Sequence, residues 1–189
     1  MGYDRSALAT IIKSLRDRGI DGVIVGSTCY MLYLGLKEFE DDIDLFTTTV
    51  SPTFDEDLIR SCSEELGCFL GQTEWGTPQL RCSVGGYEVV VELYENMYDF
   101  YIPQEMIDDA VSYKVNDVDV KALRVEDYLI IKSKSGREKD VADIQYLGDL
   151  IKSGDIRVDK GLMRRRLGLF EDFEVRLIRR RLEGIGIRL

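Results

Sequence analysis

The sequence predicts an α+β body, a mixed sheet flanked by helices, followed by a helical C-terminal part. Three observations carry that prediction. Short apolar runs bounded by glycine and polar turns alternate with amphipathic segments up to residue 122. From Val125 onward the apolar period is helical. The 189 residues are enough for one full domain with a small appendage. The expected units are a body at 1–122 and a helical region with a basic tail at 123–189.

Residues 4–18 read as an amphipathic helix capped by Asp4 or Ser6, with Leu8, Ile11, Ile12 and Leu15 inward and Gly19 as its stop. Val23, Ile24 and Val25 form a short buried strand. TCYMLYLG, from Thr28, reads as a helix, and DIDLFTTTV, from Asp42, as a second strand. A helix follows Ser51-Pro52, with Thr53 and Glu56 at capping-box spacing and Leu58, Ile59, Cys62 and Leu66 as its inner face. GCFLGQ, QLRCSV and YEVVVELY are three more strands, the last two joined at Gly85-Gly86. IPQEMIDDAV reads as a short helix, and SYKVNDVDVKAL as a hairpin around Asn116-Asp117. VEDYLIIKSKS is a helix that Gly136 ends. EKDVADIQYLGDLI is another, with Val141, Ile144, Leu147 and Ile151 inward. Residues 158–184 give one long helix or two shorter ones.

Composition narrows the chemistry. Hydrophobic residues make up 44% and charged residues 32%, which fills a core and covers it with charge. No apolar stretch approaches the roughly 20 residues that span a bilayer, and the N-terminus lacks the uninterrupted apolar core of a signal peptide. Gly2 and Ser6 match a loose acylation pattern, but helix capping accounts for the same residues. There is no histidine, and Cys29, Cys62, Cys68 and Cys82 form no C-x-x-C pair. That argues against a Cys/His zinc site and excludes Ser-His and Cys-His nucleophile pairs. The expected setting is a reducing cytoplasm with buried free thiols. Acid–base work falls to carboxylates, lysine or tyrosine.

The net charge of −10 is uneven. Residues 157–189 carry +5 and residues 1–156 carry −15. An acidic body argues against broad nucleic-acid coating, while the tail keeps a local phosphate contact open. The apolar Leu162, Leu167, Phe170, Phe173 and Leu177 of the tail offer a face for the body or for a second subunit.

The most informative stretch is GSTCYMLYLGLKEFEDDIDLF, residues 26–46. A glycine between a buried strand and a helix lets the backbone approach a ligand, and Gly26-Ser27 stands there. On a strand, the period of two puts Asp42 and Asp44 on one face and Ile43 and Leu45 on the other. Paired carboxylates repel, and a divalent cation such as Mg²⁺ relieves that repulsion. Asp41 is expected on the other face, in solvent. Glu92 interrupts an apolar run, so it needs a partner: the two aspartates, a lysine, or water.

These three signals resemble the nucleotidyltransferase superfamily, the polymerase-β-like fold. Its pattern is an apolar strand, G-[GS], a helix, D-h-[DE]-h on the next strand and a later h-[DE]-h strand. VEDYLIIKSKSGREKDVADIQYL adds a likeness to the minimal and abortive-infection-toxin-type members, with Lys132, Arg137, Lys139, Asp140 and Asp143 at the matching positions. The resemblance implies a nucleotidyltransferase-like mixed sheet. It implies Mg²⁺ or Mn²⁺ on Asp42, Asp44 and Glu92, with these as the catalytic residues. Gly26, Ser27 and Lys132 would bind the nucleoside triphosphate. Arg137, Lys139, Asp140 and Asp143 would orient the acceptor or form a structural network. The acceptor is open: an RNA end, a protein side chain or a small molecule. One departure is Glu38-Phe39-Glu40-Asp41, where many relatives carry a basic residue or threonine. The alternative reading is a fold that has lost catalysis and serves as a binding or regulatory module.

Overall fold

β-branched and aliphatic runs supply the strands, and every second side chain of the central ones is buried. The computed structural model describes residues 2–97 and 100–189. The chain divides into two compact units, Met1–Tyr101 with Ala110–Leu123, and Ile102–Asp109 with Arg124–Leu189.

The first unit is built on a seven-stranded mixed sheet. Its strands are β2 (Gly22–Ile24), β4 (Ile43–Thr47), β5 (Phe69–Gln72), β6 (Pro78–Val84), β7 (Tyr87–Tyr94), β8 (Val111–Val115) and β9 (Val118–Ala122), in the order β5-β6-β7-β4-β2-β9-β8. β4 runs parallel to β7 and β2 parallel to β9; the other pairs are antiparallel. The separate pair β1 (Tyr3–Asp4) and β3 (Glu38–Phe39) sets Tyr3 opposite Phe39. Helices α1 (Arg5–Arg16), α2 (Thr28–Tyr33) and α3 (Glu56–Leu66) flank these strands. Asp4 is the cap of α1: its Oδ1 accepts from the Ala7 N–H at 2.8 Å. Leu8, Ile11, Ile12 and Leu15 are buried, as their spacing predicts. The β6–β7 hairpin turns on Gly85 and Gly86, both at positive φ, which the two-residue turn requires.

Three local expectations change. α3 starts at Glu56 after Asp55, so the Thr53–Glu56 box does not form. The turn before it is tied instead to Glu95, whose Oε1 accepts from Ser51 Oγ at 2.9 Å and from the Thr53 N–H at 3.1 Å. Leu58 is 40% exposed, because Ile59, Cys62 and Ser63 form the inner stripe. Cys68 and Cys82 form a disulfide rather than two free thiols. The antiparallel register sets Phe69 opposite Arg81, which brings the adjacent Cys68 and Cys82 to a Cα–Cα distance of 4.4 Å. Cys29 and Cys62 stay buried outside any disulfide, and burial pushes the Cys62 thiol up.

The second unit contains α4 (Gln104–Asp108), α5 (Val125–Ser135), α6 (Glu138–Ser153), α7 (Lys160–Leu167) and α8 (Asp172–Gly184). The C-terminal stretch is thus two helices, separated at Gly168–Glu171. Along α6 the inward residues are Asp140, Ile144, Leu147 and Gly148. Val141 lies off that stripe and is 46% exposed, contrary to its expected place. Among the described residues no helix is long and apolar enough to cross a membrane.

Residues 102–109 belong to this unit, and a buried arginine ties them into it. Arg166 on α7 is 2% exposed, and its guanidinium donates to Glu105 Oε1 at 2.6 Å, Asp109 Oδ2 at 2.6 Å and Asp127 Oδ1 at 3.0 Å. The guanidinium holds its donors in a rigid planar fork, which here reaches three carboxylates from one buried position. Burial drives the Asp127 carboxyl up to about 6, against the pull of Arg166. Breaking a buried pair on one side leaves an uncompensated charge. Arg166→Met is therefore expected to lose about 3–5 kcal/mol in urea denaturation. The Arg166→Met/Asp127→Asn double variant should recover part of that loss, and equal losses in both would contradict the account.

Candidate active site

Register builds the site before any side chain is placed. Asp44 on β4 lies opposite Glu92 on β7, and Glu92 lies opposite Gln79 on β6. These three residues form one row across neighbouring strands, each about 4.8 Å from the next in the hydrogen-bonding direction. Ile43, Leu45, Val91 and Leu93, between them in sequence, point the other way and are fully or almost fully buried. Asp42 precedes β4 rather than lying within it. It still faces the side of Val90 and Glu88, with which it lines a recess.

Gly26 follows β2 and passes directly under the acidic face. A methyl group there would overlap the Asp44 carboxylate. The glycine is therefore required by close approach, and what approaches is a carboxylate of the same chain. Ser27, 5% exposed, donates its hydroxyl to Asp41 Oδ2 at 2.8 Å. Asp41 is thus half-buried and held by Ser27, not a solvated residue on the far face.

The recess beside Asp42 encloses about 150 Å³ and is lined by Tyr3, Glu40, Asp41, Asp42, Glu88 and Val90. Tyr3 stacks on Phe39 at 5.4 Å and shares a hydrogen bond of 3.1 Å with Thr28 Oγ1. Burial raises its phenol well above the ordinary value, and the charges of Asp44, Asp41 and Asp42 add to that rise against the Thr28 bond. The field in this corner is negative, as expected from the Glu38–Asp41 segment.

Glu92 has partners that sequence reasoning missed. Its Oε1 accepts from Gln79 Nε2 at 2.7 Å, and its Oε2 accepts from the Tyr94 hydroxyl. Arg81 Nε donates to Gln79 Oε1 at 3.0 Å. Burial, then the bond to Glu92, then the nearby charges keep the Tyr94 phenol protonated far above its usual range. A faint signal existed: Tyr94 is two residues after Glu92, and Gln79 and Arg81 share one face of QLRCSV.

Asp42, Asp44 and Glu92 offer oxygen donors only, a set that suits a hard cation retaining water and substrate oxygens. Among the described residues no group of three or more His, Cys, Asp or Glu side chains is gathered closely enough to hold an ion unaided. The donors are arrayed along a sheet face, and substrate oxygens would have to complete the shell.

The remaining expected site residues lie in the second unit. Lys132 Nζ sits 2.8 Å from Asp140 Oδ1 and 3.6 Å from Asp143 Oδ2. Asp140 Oδ2 accepts from Ser135 Oγ at 2.6 Å, from Arg137 Nε at 3.1 Å and from the Arg137 N–H at 3.2 Å, which caps α6. Asp143 Oδ2 also accepts from the Tyr128 hydroxyl at 3.0 Å, and Lys139 is exposed. These contacts tie α5 to α6. Burial works to raise the Asp140 carboxyl, but the Lys132, Ser135 and Arg137 donors override it and hold it at about 2. A depressed folded value contributes stability above the unfolded value near 4, and that contribution is lost as pH falls toward 2. Asp140→Asn should cost about 2 kcal/mol at neutral pH and flatten the loss of stability between about pH 4 and pH 2. Acid denaturation of both proteins checks this.

No curated protein matches the chain. Among solved structures, an antigenic nucleotidyltransferase-like protein from Paracoccidioides brasiliensis aligns with a TM-score of 0.56 at 15% identity, covering 100% of this chain and 97% of that one. The likeness is one of fold. The antibiotic-resistance factor ANT(2'')-Ia aligns at 15% identity over 95% of this chain and 91% of its own, with a TM-score of 0.47 that is too low to bear on the fold. The family described as "Nucleotidyl transferase of unknown function (DUF2204)" matches residues 4–184, which takes in both units and all the acidic residues above. A match over nearly the whole chain means that the chain belongs to this nucleotidyl transferase family.

Proposed function

We propose that the protein transfers a nucleoside monophosphate from a nucleoside triphosphate to an acceptor hydroxyl, with Mg²⁺ or Mn²⁺ bound at Asp42, Asp44 and Glu92. The observation that carries this reading is the register pair Asp44–Glu92 with Gly26 pressed against Asp44. Two carboxylates on neighbouring strands repel. A site that keeps such a pair together is suited to a cation. When bound, the cation supplies charge neutralisation at the phosphates and polarises the phosphorus under attack. Asp42 and Asp44 would share it with phosphate oxygens. Glu92 would ligate it or accept the proton of the attacking hydroxyl. The backbone at Gly26 and Ser27 would face the phosphates. Lys132, clamped between Asp140 and Asp143, serves structure in this reading. The acceptor, whether an RNA end, a protein side chain or a small molecule, is left open.

A second reading has its own support. The recess next to Asp42 is lined by Glu40, Asp41, Asp42 and Glu88, and such a field repels a triphosphate. A catalytically inactive binding module would look the same.

Calorimetric titration of each nucleoside triphosphate with Mg²⁺ separates the two. The first reading expects Mg²⁺-dependent binding that Asp42→Asn/Asp44→Asn abolishes, followed by incorporation of labelled nucleotide in an acceptor screen. A folded wild type that binds no triphosphate would sink it. Gly26→Ala should weaken Mg²⁺-dependent binding about as much as Asp44→Asn, because it displaces that carboxylate. Gly184→Ala, which meets open space, serves as the control. Unchanged binding in Gly26→Ala would remove the close-approach argument.

A further inference from the structure

Glu92 lies one strand from Asp44, and like charges on neighbouring strands push apart. A glutamate has several free rotors, so an unheld side chain at position 92 would sample several directions. In the structure both of its oxygens are held. Gln79 Nε2 donates to Oε1 at 2.7 Å, and the Tyr94 hydroxyl donates to Oε2.

Gln79 can do this in only one orientation of its amide, with the NH₂ toward Glu92 and the oxygen away from it. Arg81 selects that orientation. Its Nε donates to Gln79 Oε1 at 3.0 Å, and a guanidinium cannot accept, so the reversed amide would set two donors against each other. Gln79 is 9% exposed and has little room to move. Tyr94 is 7% exposed, and its ring stacks on Phe100 at 5.0 Å, which fixes where the hydroxyl points. Each carboxylate oxygen has a second lone pair, so the two bonds restrain Glu92 while leaving it able to accept from a cation or a hydroxyl.

We propose that Gln79 and Tyr94 are positioning residues for Glu92, and that Arg81 acts one step further out by setting the Gln79 amide. The clamp fixes the Glu92 carboxylate in one place within the row that runs from Asp44 on β4 to Gln79 on β6. It rests on the nucleotidyl transfer reading above, because only a site that uses Glu92 as a ligand or base needs its carboxylate held in one place. The bland rival is a polar ladder that merely ties β6 to β7.

Mn²⁺ titration of the full chain, followed by electron paramagnetic resonance, distinguishes them. The site to follow is the one that Asp42→Asn/Asp44→Asn removes. Partners that orient a metal-ligating group typically contribute about 10- to 100-fold in affinity. Tyr94→Phe keeps the ring stack and loses only the hydroxyl, and it should weaken Mn²⁺ binding by that order, as should Gln79→Leu. Arg81→Met should weaken it too, and Arg81→Lys, which restores a donor to Gln79 Oε1, should recover part of the loss. In a Glu92→Gln background the Tyr94→Phe effect should vanish, since a positioning residue acts only through the group it positions. A ladder role would leave Mn²⁺ affinity untouched, or lower it equally in both backgrounds, and either result overturns the proposal. If Gln79→Leu fails to fold, Tyr94→Phe and its cycle with Glu92→Gln still decide. If the wild type has no Mn²⁺ site, the transfer reading falls and the clamp falls with it. A wild-type site indifferent to substitution at Gln79, Arg81 and Tyr94 leaves the transfer reading standing and removes the clamp alone.

Discussion

β4 and β7 run parallel with Ile43 opposite Val91 and Leu45 opposite Leu93, and burial of these four side chains locks the register. A slip of one residue would turn them to the polar side and drive Asp44 and Glu92 into the core. The cost would be several buried aliphatic side chains, each contributing about 1.5–3 kcal/mol, plus two desolvated charges. The hydrophobic pattern of two short strands therefore places two carboxylates side by side. The sheet supplies the geometry, and the polar residues have no choice of neighbour.

The residues around that pair fall into place for the same reason. Gly26 is small because the Asp44 carboxylate occupies the space its Cβ would take. Gln79 meets Glu92 because β6 continues the row on the far side. Cys68 meets Cys82 because β5 and β6 pair at the neighbouring position. On the acidic face, Gly26 with Asp44 and Gln79 with Glu92 thus meet across strands although they are far apart in sequence.

The second unit uses charge differently. Arg166 and the Lys132–Asp140 pair are largely removed from water, and each is surrounded by several partners. A buried ion pair contributes little over a well-packed apolar contact, but loss of one partner is severe. Such groups specify which helices meet. Arg166 recruits the segment at 102–109, far away in sequence, and Asp140 both caps α6 and receives the lysine of α5.

Much was legible in the sequence. Period-two and period-3.6 patterns set out the strands and helices, since the side-chain direction of a regular element is a local property. The Gly85-Gly86 turn and the burial of Leu8, Ile11, Ile12 and Leu15 follow from spacing, whereas the space beside Gly26, expected to admit a ligand, is filled by the Asp44 carboxylate. Val141 and Leu58 were misplaced because a helix stripe read from composition is uncertain by one position when a polar residue such as Asp140 or Ser63 is the one turned inward. Asp41 was misplaced because its partner, Ser27, is 14 residues away across a helix. Only the tertiary structure decided what Glu92 touches, which cysteines pair and where residues 102–109 belong. Those outcomes depend on strand order and register, which are set by the packing of the whole sheet and helix cluster, while the identity of the chemical groups was already present in the chain.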